Sequence, residues 1–313
     1  MKVSVHMLTY NHEKYIEKAI KSVVSQITDF PFELIIGEDC STDGTRKIVE
    51  KYQKLYPDIV KPILYETNMG LMHNYRTVFE HCSGDYIATI DGDDCWTNDS
   101  KLQQEADILD AKDHISIVAH SVDFNYEDQN RVDKAVHSDN KTEFDLDYFI
   151  VHNSIDSVAL MFRKEVLEDK PKLWFSAPYG DHILKTMCLL KGDCYFIKES
   201  MAIYNIQSAS FVHQNEAKFL KQQLDYYLEF LEFLPNKKHL INIAIDETRY
   251  ILARHLLKNG SKEKCKEQFS LMQKDKSNKE RKKINRQFHL MVTKNNIRWI
   301  LGKVIPSLKD TSY

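Results

Sequence analysis

Three aspartates fall within four residues, at Asp91-Gly92-Asp93-Asp94, directly after the predicted strand Asp85–Ile90. Carboxylates this close repel one another, and a bound divalent cation would relieve the repulsion. Oxygen ligands suit Mg²⁺ or Mn²⁺, and a Mg²⁺ site commonly combines one or two carboxylates with phosphates of a substrate. A solvated turn is the simpler interpretation. The position of this D-x-D motif directly after an apolar strand favours a site for a metal and a phosphate.

A second acidic pair, Glu38-Asp39, follows the predicted strand Phe32–Gly37. Carboxylates can accept hydrogen bonds from a uracil N–H or a ribose hydroxyl. Part of the same segment suits a structural role, because Ser41 or Thr42 could cap the next helix. We therefore expect ligand binding from the acidic pair and capping from a hydroxyl residue.

The loop after the first predicted strand, Val3–Leu8, carries a third polar group at residues 9–13. The ring of Tyr10 could stack on a nucleobase, which would make this loop a nucleoside site. Alternatively, Asn11 caps the helix that follows, since asparagine is a favoured N-cap residue. Both interpretations stay open at the level of sequence.

Apolar residues in the first 120 positions alternate between two spacings. Short β-branched runs predict strands, and apolar residues three to four apart predict helices. This alternation implies a mainly parallel, Rossmann-like α/β sheet with helices on both faces, in which ligands bind beyond the carboxyl ends of the strands. The predicted strands are 3–8, 32–37, 60–65, 85–90 and 114–120, and the predicted helices are 12–26, 42–55, 72–82 and 101–111.

The second half of the chain is less regular. The polar segment 122–141 predicts a loop or an exposed hairpin, and the sequence further predicts strands over 156–163 and 194–197 and a helix over 180–190. From residue 215 onward only helices are predicted, over 219–234, 239–257 and 262–273. We expect one domain over residues 1–214 and a helical C-terminal region over 215–313.

Several ordered motifs resemble the family 2 glycosyltransferases with the GT-A fold. The matching segments are Val5–Asn11, Leu34–Thr45, Asn68–Gly70 and Gly84–Trp96. The run Asp93–Thr97 with Lys101-Leu102 is similar to bacterial members that build surface polysaccharides. The resemblance extends over residues 1–120 and, less closely, over 150–212. It implies a nucleotide-sugar half at 1–99 and an acceptor half at 100–214.

The resemblance also implies a role for each matched residue. Residues of the first loop contact the nucleotide, and Asp39 accepts a hydrogen bond from the uracil. The loop after the third predicted strand, with Asn68 and Gly70, lies near the donor. The D-x-D contacts the donor ribose and a Mn²⁺ or Mg²⁺ ion that bridges the diphosphate. The implied donor-binding residues are Thr9, Tyr10, Asn11, Glu13, Asp39, Asn68, Gly70, Asp91, Gly92 and Asp93, the metal ligands are Asp91 and Asp93, and the acceptor-binding residues are Asp94, Trp96 and His182.

A general base is expected in the second half, where family members often carry an acidic pair after a Gly-rich turn that opens a helix. This chain has Tyr179-Gly180-Asp181-His182, with one carboxylate, so Asp181 is the candidate base. Capping of that helix is the competing role for Asp181.

Two segments depart from the family pattern. Tyr204–Ser210 resembles Y-R-x-H-x-x-S but has Asn205 and Gln207 in place of the arginine and histidine. If those groups steady the diphosphate in the family, the contact is weaker here or comes from elsewhere. Asn74-Tyr75-Arg76 also departs from the more frequent R-N order.

The implied activity is inverting transfer of a sugar from a nucleoside-diphosphate sugar, with UDP as the expected carrier. The acceptor would be a glycan or lipid-linked glycan in capsule or O-antigen synthesis. A non-catalytic sugar-nucleotide or glycan-binding protein is the competing class, and hydrolysis or transfer would exclude it. A dehydrogenase would carry G-x-G-x-x-G after a strand, whereas the first loop contains no glycine. His6, His12 and His73 lack ligand spacing and are read as surface or packing residues.

Net charge becomes informative once it is divided along the chain. The 313 residues carry a net charge of −3, no apolar run of transmembrane length and six cysteines without a C-x-x-C pair. The first apolar run is too short for a secretory signal, so a cytoplasmic protein with reduced thiols is expected. Residues 258–303 carry about 14 Lys and Arg against about four Asp and Glu, so a basic tail follows an acidic body.

Two interpretations of the basic tail stay open. A helical bundle that packs on the catalytic domain is the simpler one. Alternatively, the basic run Lys279–Lys283 and the apolar patch Ile297–Leu301 attach the protein to anionic lipid at the inner face of the plasma membrane. Nucleic acid is disfavoured as a partner, because no recognition motif accompanies the charge.

Overall fold

The computed structural model describes residues 1–134, 141–152, 155–206 and 216–272, together with Ser277, Lys279 and Lys282. The chain divides into two compact units, Met1–Ser208 and Ala209–Tyr313, and each is described by itself. Apart from Lys279 and Lys282, the two tail segments lie outside the described residues, as does Gln207. Among the described residues, no helix combines the length and the apolar character that crossing a membrane requires.

The first unit alternates strands and helices through its first half, as the apolar spacing predicted. Its elements up to residue 111 are β1 (Val3–Thr9), α1 (Ile16–Val24), β2 (Phe32–Glu38), α2 (Thr45–Leu55), β3 (Val60–Leu64), α3 (Leu71–His81), β4 (Tyr86–Asp91), β5 (Cys95–Trp96) and α4 (Lys101–Ala111). The remaining elements are β6 (Ile115–Tyr126), β7 (Arg131–Asp133), β8 (Glu143–Phe144), α5 (Leu146–His152), β9 (Leu160–Arg163), α6 (Lys172–Ser176), α7 (Asp181–Lys191) and β10 (Asp193–Ile206).

One sheet runs through this unit in the order β3-β2-β1-β4-β9-β6-β10-β5, with β7 paired to β6 and β8 to β10. The neighbours β3, β2, β1 and β4 are parallel, and so are β6 and β10. β9 lies antiparallel between β4 and β6. The predicted α/β fold with a mainly parallel sheet is therefore confirmed. The direction of β9 was not predicted, because an apolar run marks a strand without fixing its orientation.

The core of this unit lies between the sheet and its helices. β1 is buried over its whole length, as expected for a central strand that is covered on both faces. α1 buries Ile16, Ala19, Ile20 and Val23, which lie on one face of the helix. The buried strands β1, β2 and β4 end at the same edge of the sheet, so the polar residues after them share that edge.

Two long strands exceed their predictions. β6 continues to Tyr126 and returns through a short 3-10 segment as β7, which gives a hairpin in the region where a loop or hairpin was predicted. β10 runs on to Ile206, with register shifts against β6 around Ser200. The outer parts of both strands carry polar side chains, which obscure the strand pattern, whereas pairing with the neighbouring strand keeps the backbone extended.

Neither predicted helix cap caps its helix. α1 begins at Ile16, four residues later than predicted, and the residue before it makes no side-chain capping bond, so Asn11 lies outside the helix. α2 begins at Thr45, and the carboxylate of Asp43 accepts hydrogen bonds from the Thr45 N–H and hydroxyl at 3.0 and 2.6 Å. The prediction of capping by Ser41 or Thr42 was wrong, because both are held by other partners described below.

The second unit is helical over its described residues. It contains α8 (Glu216–Phe233), α9 (Lys238–Lys258) and α10 (Lys262–Met272), and α9 packs against both of the others. A small apolar cluster joins α9 to α10 and consists of Ala253, Leu257, Cys265, Phe269 and Met272. The predicted change from a mixed to a helical architecture after residue 215 is seen in these elements.

Candidate active site

The loop after β1 is tied to the loop after β2 through Asn11. This residue has a left-handed backbone (φ 55°), its side-chain oxygen accepts the Thr42 N–H at 2.8 Å, and its own N–H donates to Ser41 Oγ at 3.0 Å. Thr9, at the end of β1, is buried, whereas Tyr10 is 43% exposed. Asn11 therefore bridges two loops instead of capping a helix, and the Tyr10 ring is accessible to a planar ligand.

Glu13 lies against the turn that leads into α2. Its N–H donates to Asp43 Oδ2 at 3.1 Å, and a Cβ at Gly44 would lie only 2.2 Å from Glu13 Oε1. Gly44 is the residue before α2, where backbone N–H groups lack helical partners. The contact with this turn gives Glu13 a structural role, and its predicted part in donor binding stays a prediction.

The two carboxylates of Glu38-Asp39 have different environments. Glu38 is fully buried and accepts hydrogen bonds from Ser41 N at 2.7 Å and Arg46 Nε at 2.9 Å. Both of its oxygens therefore serve the fold, and only Asp39 of the pair lies among loop residues. The expectation that both carboxylates bind ligand was wrong for Glu38.

Asp39 joins the second loop to the third. Its Oδ1 accepts the Met69 N–H at 2.6 Å, its Oδ2 accepts the Gly70 N–H at 3.0 Å, and its carbonyl accepts a bond from Asn68 Nδ2 at 3.1 Å. Gly70 has a φ of 83°, which glycine adopts without strain. Asn68 and Gly70, predicted from one motif, are thus in direct contact with Asp39, predicted from another.

The D-x-D lies at the end of β4, directly against the first loop. A Cβ at Gly92 would lie 2.7 Å from Thr9 Oγ1 and 3.0 Å from His12 Nδ1, so this position requires glycine. Burial, the charge of Asp93 and the charge of Asp181 together raise the pKa of Asp91 to about 7. These couplings bring the candidate base and both candidate metal ligands into one electrostatic site.

Strand β10 holds the D-x-D in place through Asn205. Its N–H donates to Asp94 Oδ1 at 2.9 Å, and its side chain donates to the Asp93 carbonyl at 2.6 Å. Asp94 is 2% exposed, and burial together with the charges of Asp93 and Asp91 raises its pKa well above the ordinary range. The carboxyl group of Asp94 is thus enclosed and bonded to β10, and its predicted acceptor role stays a prediction.

Asp181 is the first residue of α7, and its side chain is 42% exposed. Its Oδ2 pairs with Lys185 Nζ at 2.9 Å, one helical turn later. Burial alone would raise the pKa of Asp181, but the charge of Lys185 and its hydrogen bond outweigh burial and lower it. Gly180 is the N-cap and has no side chain to cap α7, whereas a backbone hydrogen bond from His182 also helps to lower the pKa of Asp181, so helix capping stays an alternative role for Asp181.

The structure places two further predicted acceptor residues inside the core. Trp96 is 5% exposed, and its indole N–H donates to the Val158 carbonyl at 3.2 Å. His182 is 4% exposed and packs against the ring of Phe149, and burial lowers its pKa to about 4. Both side chains make packing contacts in the folded chain, and their predicted acceptor contacts stay predictions.

The residues around the D-x-D fit a divalent cation bound together with a substrate. No group of three or more His, Cys, Asp or Glu side chains within the described ranges is arranged to hold a metal alone. Such a group is not required, since Mg²⁺ is commonly held by one or two carboxylates and substrate phosphates. Two buried polar atoms beside Gly92, Thr9 Oγ1 and His12 Nδ1, lack a hydrogen-bond partner. Asp91 and Asp93 are the residues that could hold the ion.

Two residues near the site were not foreseen. His12 Nε2 lies 3.9 Å from Asp93 Oδ2, although its lack of ligand spacing pointed to packing or the surface. Lys185 pairs with Asp181, and here the four-residue spacing on one helix was a usable signal.

A cavity of about 730 Å³ lies at the opposite edge of the sheet, at the amino ends of β1 and β4, between Lys2, Gly84 and Arg163. None of the predicted site residues lines it.

Solved glycosyltransferases share this architecture. TarS 1–349 of Staphylococcus aureus matches with a TM-score of 0.62 at 22% identity, over 87% of this chain and 79% of that one. The mannosyltransferase PcManGT of Pyrobaculum calidifontis, solved with GDP-Man and Mn²⁺, matches with a TM-score of 0.58 at 13% identity, over 99% of this chain and 88% of that one. At these identities the likeness concerns the fold, which is the GT-A fold predicted from the motifs.

Curated relatives include characterised and uncharacterised proteins. An uncharacterised protein of Mycobacterium tuberculosis is 30% identical over 203 residues, which cover 64% of this chain and 58% of that protein. An uncharacterised glycosyltransferase of a Nostoc species is 29% identical over 232 residues, 71% of this chain and 70% of that one. The poly(ribitol-phosphate) β-N-acetylglucosaminyltransferase TarS of S. aureus is 39% identical over 114 residues, 35% of this chain and 19% of TarS. The chain thus spans under two thirds of the mycobacterial relative.

The family itself is identified by the match to a family model. The model described as glycosyl transferase family 2 matches residues 4–169, more than half of the chain. The matched part runs from β1 beyond β9 and includes Asp39 and the D-x-D, whereas Asp181 lies after it. The chain therefore belongs to glycosyl transferase family 2.

Proposed function

We propose that this chain transfers a sugar from a nucleoside-diphosphate sugar, with UDP as the carrier, to a hydroxyl of a glycan or lipid-linked glycan. The product would enter a bacterial surface polysaccharide. The observation that carries the proposal is geometric: the D-x-D packs directly against the first loop at Gly92, and the Asp39 carboxylate joins the second loop to the third. Asp181 acts electrostatically on the same site, since its charge contributes to the raised pKa of Asp91, and a carboxylate there could serve as a general base, which a simple binding protein does not need.

The nucleotide would be bound by the first three loops. The exposed ring of Tyr10 offers a stacking surface for the base. Each oxygen of Asp39 accepts one backbone N–H, and a carboxylate has further lone pairs with which to accept the uracil N–H. The bonds from Asp39 to residues 69 and 70 would hold the third loop beside the donor.

The diphosphate would lie at the D-x-D, with a Mn²⁺ or Mg²⁺ ion held by Asp91 and Asp93. A bound ion of this kind neutralises charge on the departing diphosphate. Gly92 lets these carboxylates lie directly on the first loop, and Asn205 holds the Asp93 carbonyl from the other side. The chain's own contribution is therefore to fix the carboxylates before the donor binds.

Asp181 would act as the general base. Its ion pair with Lys185 keeps the carboxylate ionised at neutral pH, and its exposed fraction leaves it open to an acceptor. It would take the proton of the acceptor hydroxyl while the hydroxyl oxygen bonds to the anomeric carbon. The bond from that carbon to the diphosphate oxygen breaks on the opposite face, and the diphosphate leaves with the electron pair, so the configuration inverts.

Replacing Asp181 by asparagine tests the base. A positioned general base contributes typically ~10²–10⁴-fold, so Asp181→Asn should lose transfer by about that factor while it still binds UDP. Asp169→Asn is the matched control, because Asp169 is a largely exposed aspartate that also pairs with a lysine, Lys191. Full transfer activity in Asp181→Asn would rule out the assignment.

A screen of nucleotide sugars with Mn²⁺ or Mg²⁺ tests the reaction class. Hydrolysis of one sugar nucleotide, or transfer to an added glycan, is the expected result. Asp93→Asn should abolish metal-dependent UDP binding in a calorimetric titration, and an unchanged titration would contradict the metal assignment. A protein that binds a donor but never turns it over would belong to the non-catalytic alternative.

The basic tail would bring the enzyme to a lipid-linked acceptor. Residues Lys279–Lys283 carry four positive charges, and charges of this kind gain ~1 kcal/mol each near anionic lipid. Co-sedimentation with anionic liposomes measures the contribution of these charges to lipid binding. The full chain is compared with a variant in which Lys279, Arg281, Lys282 and Lys283 are changed to glutamine. Equal binding at low and high salt would argue against a membrane role.

A further inference from the structure

Tyr75, on α3, packs directly against the residue that precedes the candidate base. A Cβ at Gly180 would lie 2.1 Å from Cε1 of the Tyr75 ring and 2.7 Å from its Cζ. Gly180 is the N-cap of α7, and Asp181 is the first residue of that helix. One edge of the ring, from Cδ1 at 2.5 Å through Cε1 to Cζ, therefore lies against the backbone that carries the candidate base.

The Tyr75 ring is fixed from its other sides by an aromatic cluster. Its centroid lies 4.8 Å from Phe79, edge to face, 5.1 Å from His6 and 5.9 Å from Trp174. The Tyr75 carbonyl accepts a hydrogen bond from His6 Nε2 at 3.0 Å. Burial lowers the pKa of His6 to about 4, so the imidazole stays neutral and keeps one N–H to donate. These contacts hold the Tyr75 ring in place where α7 packs against it.

The charges around the Tyr75 hydroxyl favour its neutral, hydrogen-bond-donating form. Burial and the negative charges of Asp181 and Asp91 raise the pKa of Tyr75 well above its ordinary value. The same two carboxylates contribute to the site where donor and acceptor would meet. The Tyr75 hydroxyl is neutral at pH 7 with or without this shift, so it can donate a hydrogen bond, whereas ionised carboxylates only accept.

We infer that Tyr75 is a positioning residue: its ring sets the amino end of α7 relative to the D-x-D, and its hydroxyl orients the acceptor. This inference rests on the proposed sugar transfer. An acceptor oxygen that accepts a hydrogen bond from Tyr75 directs its own proton toward Asp181, which is the geometry that proton removal requires.

Removing only the hydroxyl separates orientation from packing. Tyr75→Phe should lower kcat for transfer about tenfold, the effect of one hydrogen bond, while the donor KM and the UDP affinity stay unchanged. Tyr86→Phe is the matched control, because it removes a hydroxyl bonded to Asp110 at the amino-terminal end of β4 and should leave kcat unchanged. A wild-type kcat in Tyr75→Phe, or a raised donor KM with kcat intact, would overturn the orienting role.

The packing is tested by a second pair of variants. Gly180→Ala should lower the melting temperature in the wild-type background and much less in the Tyr75→Ala background, because the ring that meets the new Cβ is then absent. Equal losses in both backgrounds would show that the ring does not set the helix. If the wild-type enzyme turns over no nucleotide sugar, the proposed function fails and this inference fails with it. If the wild-type enzyme is active and Tyr75→Phe equals it, only the inference about Tyr75 fails.

Discussion

Gly92 shows how one missing side chain sets the geometry of the site. Its Cα lies so close to the first loop that a Cβ would come within 2.7 Å of Thr9 Oγ1 and 3.0 Å of His12 Nδ1. Thr9 is 1% exposed and sits at the end of a fully buried strand, so it cannot move aside easily. The distance between the D-x-D carboxylates and the nucleotide loops therefore depends on glycine at this position.

Gly92→Ala is expected to weaken UDP binding in the presence of Mn²⁺ by about tenfold or more. The new methyl group must displace Thr9, His12 or the D-x-D, and overpacking of this kind typically costs ~1–3 kcal/mol. Calorimetric titration measures the affinity, and thermal unfolding measures the stability. Gly260→Asn is the control, since Gly260 has a φ of 76°, which asparagine tolerates, and open space around it. Wild-type affinity in Gly92→Ala would contradict the argument.

At the residue scale, motif position and side-chain direction are separate properties. Asp91 and Asp181 were predicted from motifs and lie in one electrostatic site. Trp96 and His182 were predicted in the same way, and both side chains are buried. The order of strands brings a motif to the correct edge of the sheet, but alternation along a strand and rotation around a helix decide which side chains face outward.

A buried ion pair lies within α4, and its lysine also contacts Trp96 of β5, the strand that follows the D-x-D. Lys101 Nζ lies 2.6 Å from Glu105 Oε2 and 4.2 Å above the ring of Trp96, and both charged side chains are fully buried. His120 Nε2, from β6, lies 3.9 Å from the other Glu105 oxygen. Burial lowers the pKa of Lys101 and raises that of Glu105, so each charge depends on its partner.

Lys101→Met should be strongly destabilising, because it leaves Glu105 buried without its cation. Breaking such a pair typically costs ~3–5 kcal/mol, whereas replacing both partners by apolar residues is often close to neutral. Urea unfolding of Lys101→Met and of the double variant Lys101→Met, Glu105→Leu measures both effects. A single variant as stable as wild type, or a double variant less stable than the single one, would contradict this account.

Glu33 joins β2 to its neighbours near the amino-terminal end of the sheet. Its carboxylate accepts hydrogen bonds from Ser4 Oγ, Ser83 N, Ser83 Oγ and Lys61 Nζ. Burial alone would raise the pKa of Glu33, but the bonds from Lys61, Ser4 and Ser83 outweigh it and lower the pKa from 4.5 to about 2. The lowered pKa means that folding favours the ionised form.

Because the folded pKa of Glu33 lies below the unfolded one, its stabilisation is complete above pH 4.5 and is lost as the pH falls toward 2. Glu33→Gln should therefore be less stable than wild type at pH 7, by roughly 3 kcal/mol, with a difference that narrows below pH 4.5. Thermal unfolding across this pH range measures the difference. Glu17→Gln, at an exposed ion pair, should have little effect at any pH. A difference for Glu33→Gln that stays constant down to pH 3 would contradict the argument.

At the element scale, the spacing of apolar residues correctly predicted the buried strands of the sheet. The strands β1, β2 and β4 and the helix α1 agree with their apolar spacing to within a few residues. The outer half of β10 and the antiparallel β9 differ, because pairing partners decide their length and direction. The start of α2 differs from its prediction because the Asp43 carboxylate, and not a hydroxyl of Ser41 or Thr42, accepts the Thr45 N–H.

At the scale of the whole molecule, ligand binding should be visible as stabilisation of the folded state. A ligand present at 100 times its Kd adds ~2.7 kcal/mol to the free energy of unfolding. UDP with Mn²⁺ should therefore raise the melting temperature of wild type but not of Asp93→Asn, as followed by calorimetry. Asp169→Asn, whose side chain is 81% exposed, should respond as wild type does. Equal shifts in wild type and Asp93→Asn would argue against the proposed metal ligands.

The sequence by itself determined the fold class, the family and the set of loops that meet at the carboxyl ends of the strands. These depend on apolar periodicity and on the order of short motifs, which are properties of the chain read in one dimension. Only the tertiary structure decided that the charge of Asp181 acts on Asp91, that Glu38 and Asp94 are enclosed, and that Tyr75 lies against Gly180. The physical reason is that burial and long-range contact arise when distant segments pack together, and local sequence does not encode which of two neighbouring carboxylates is left accessible.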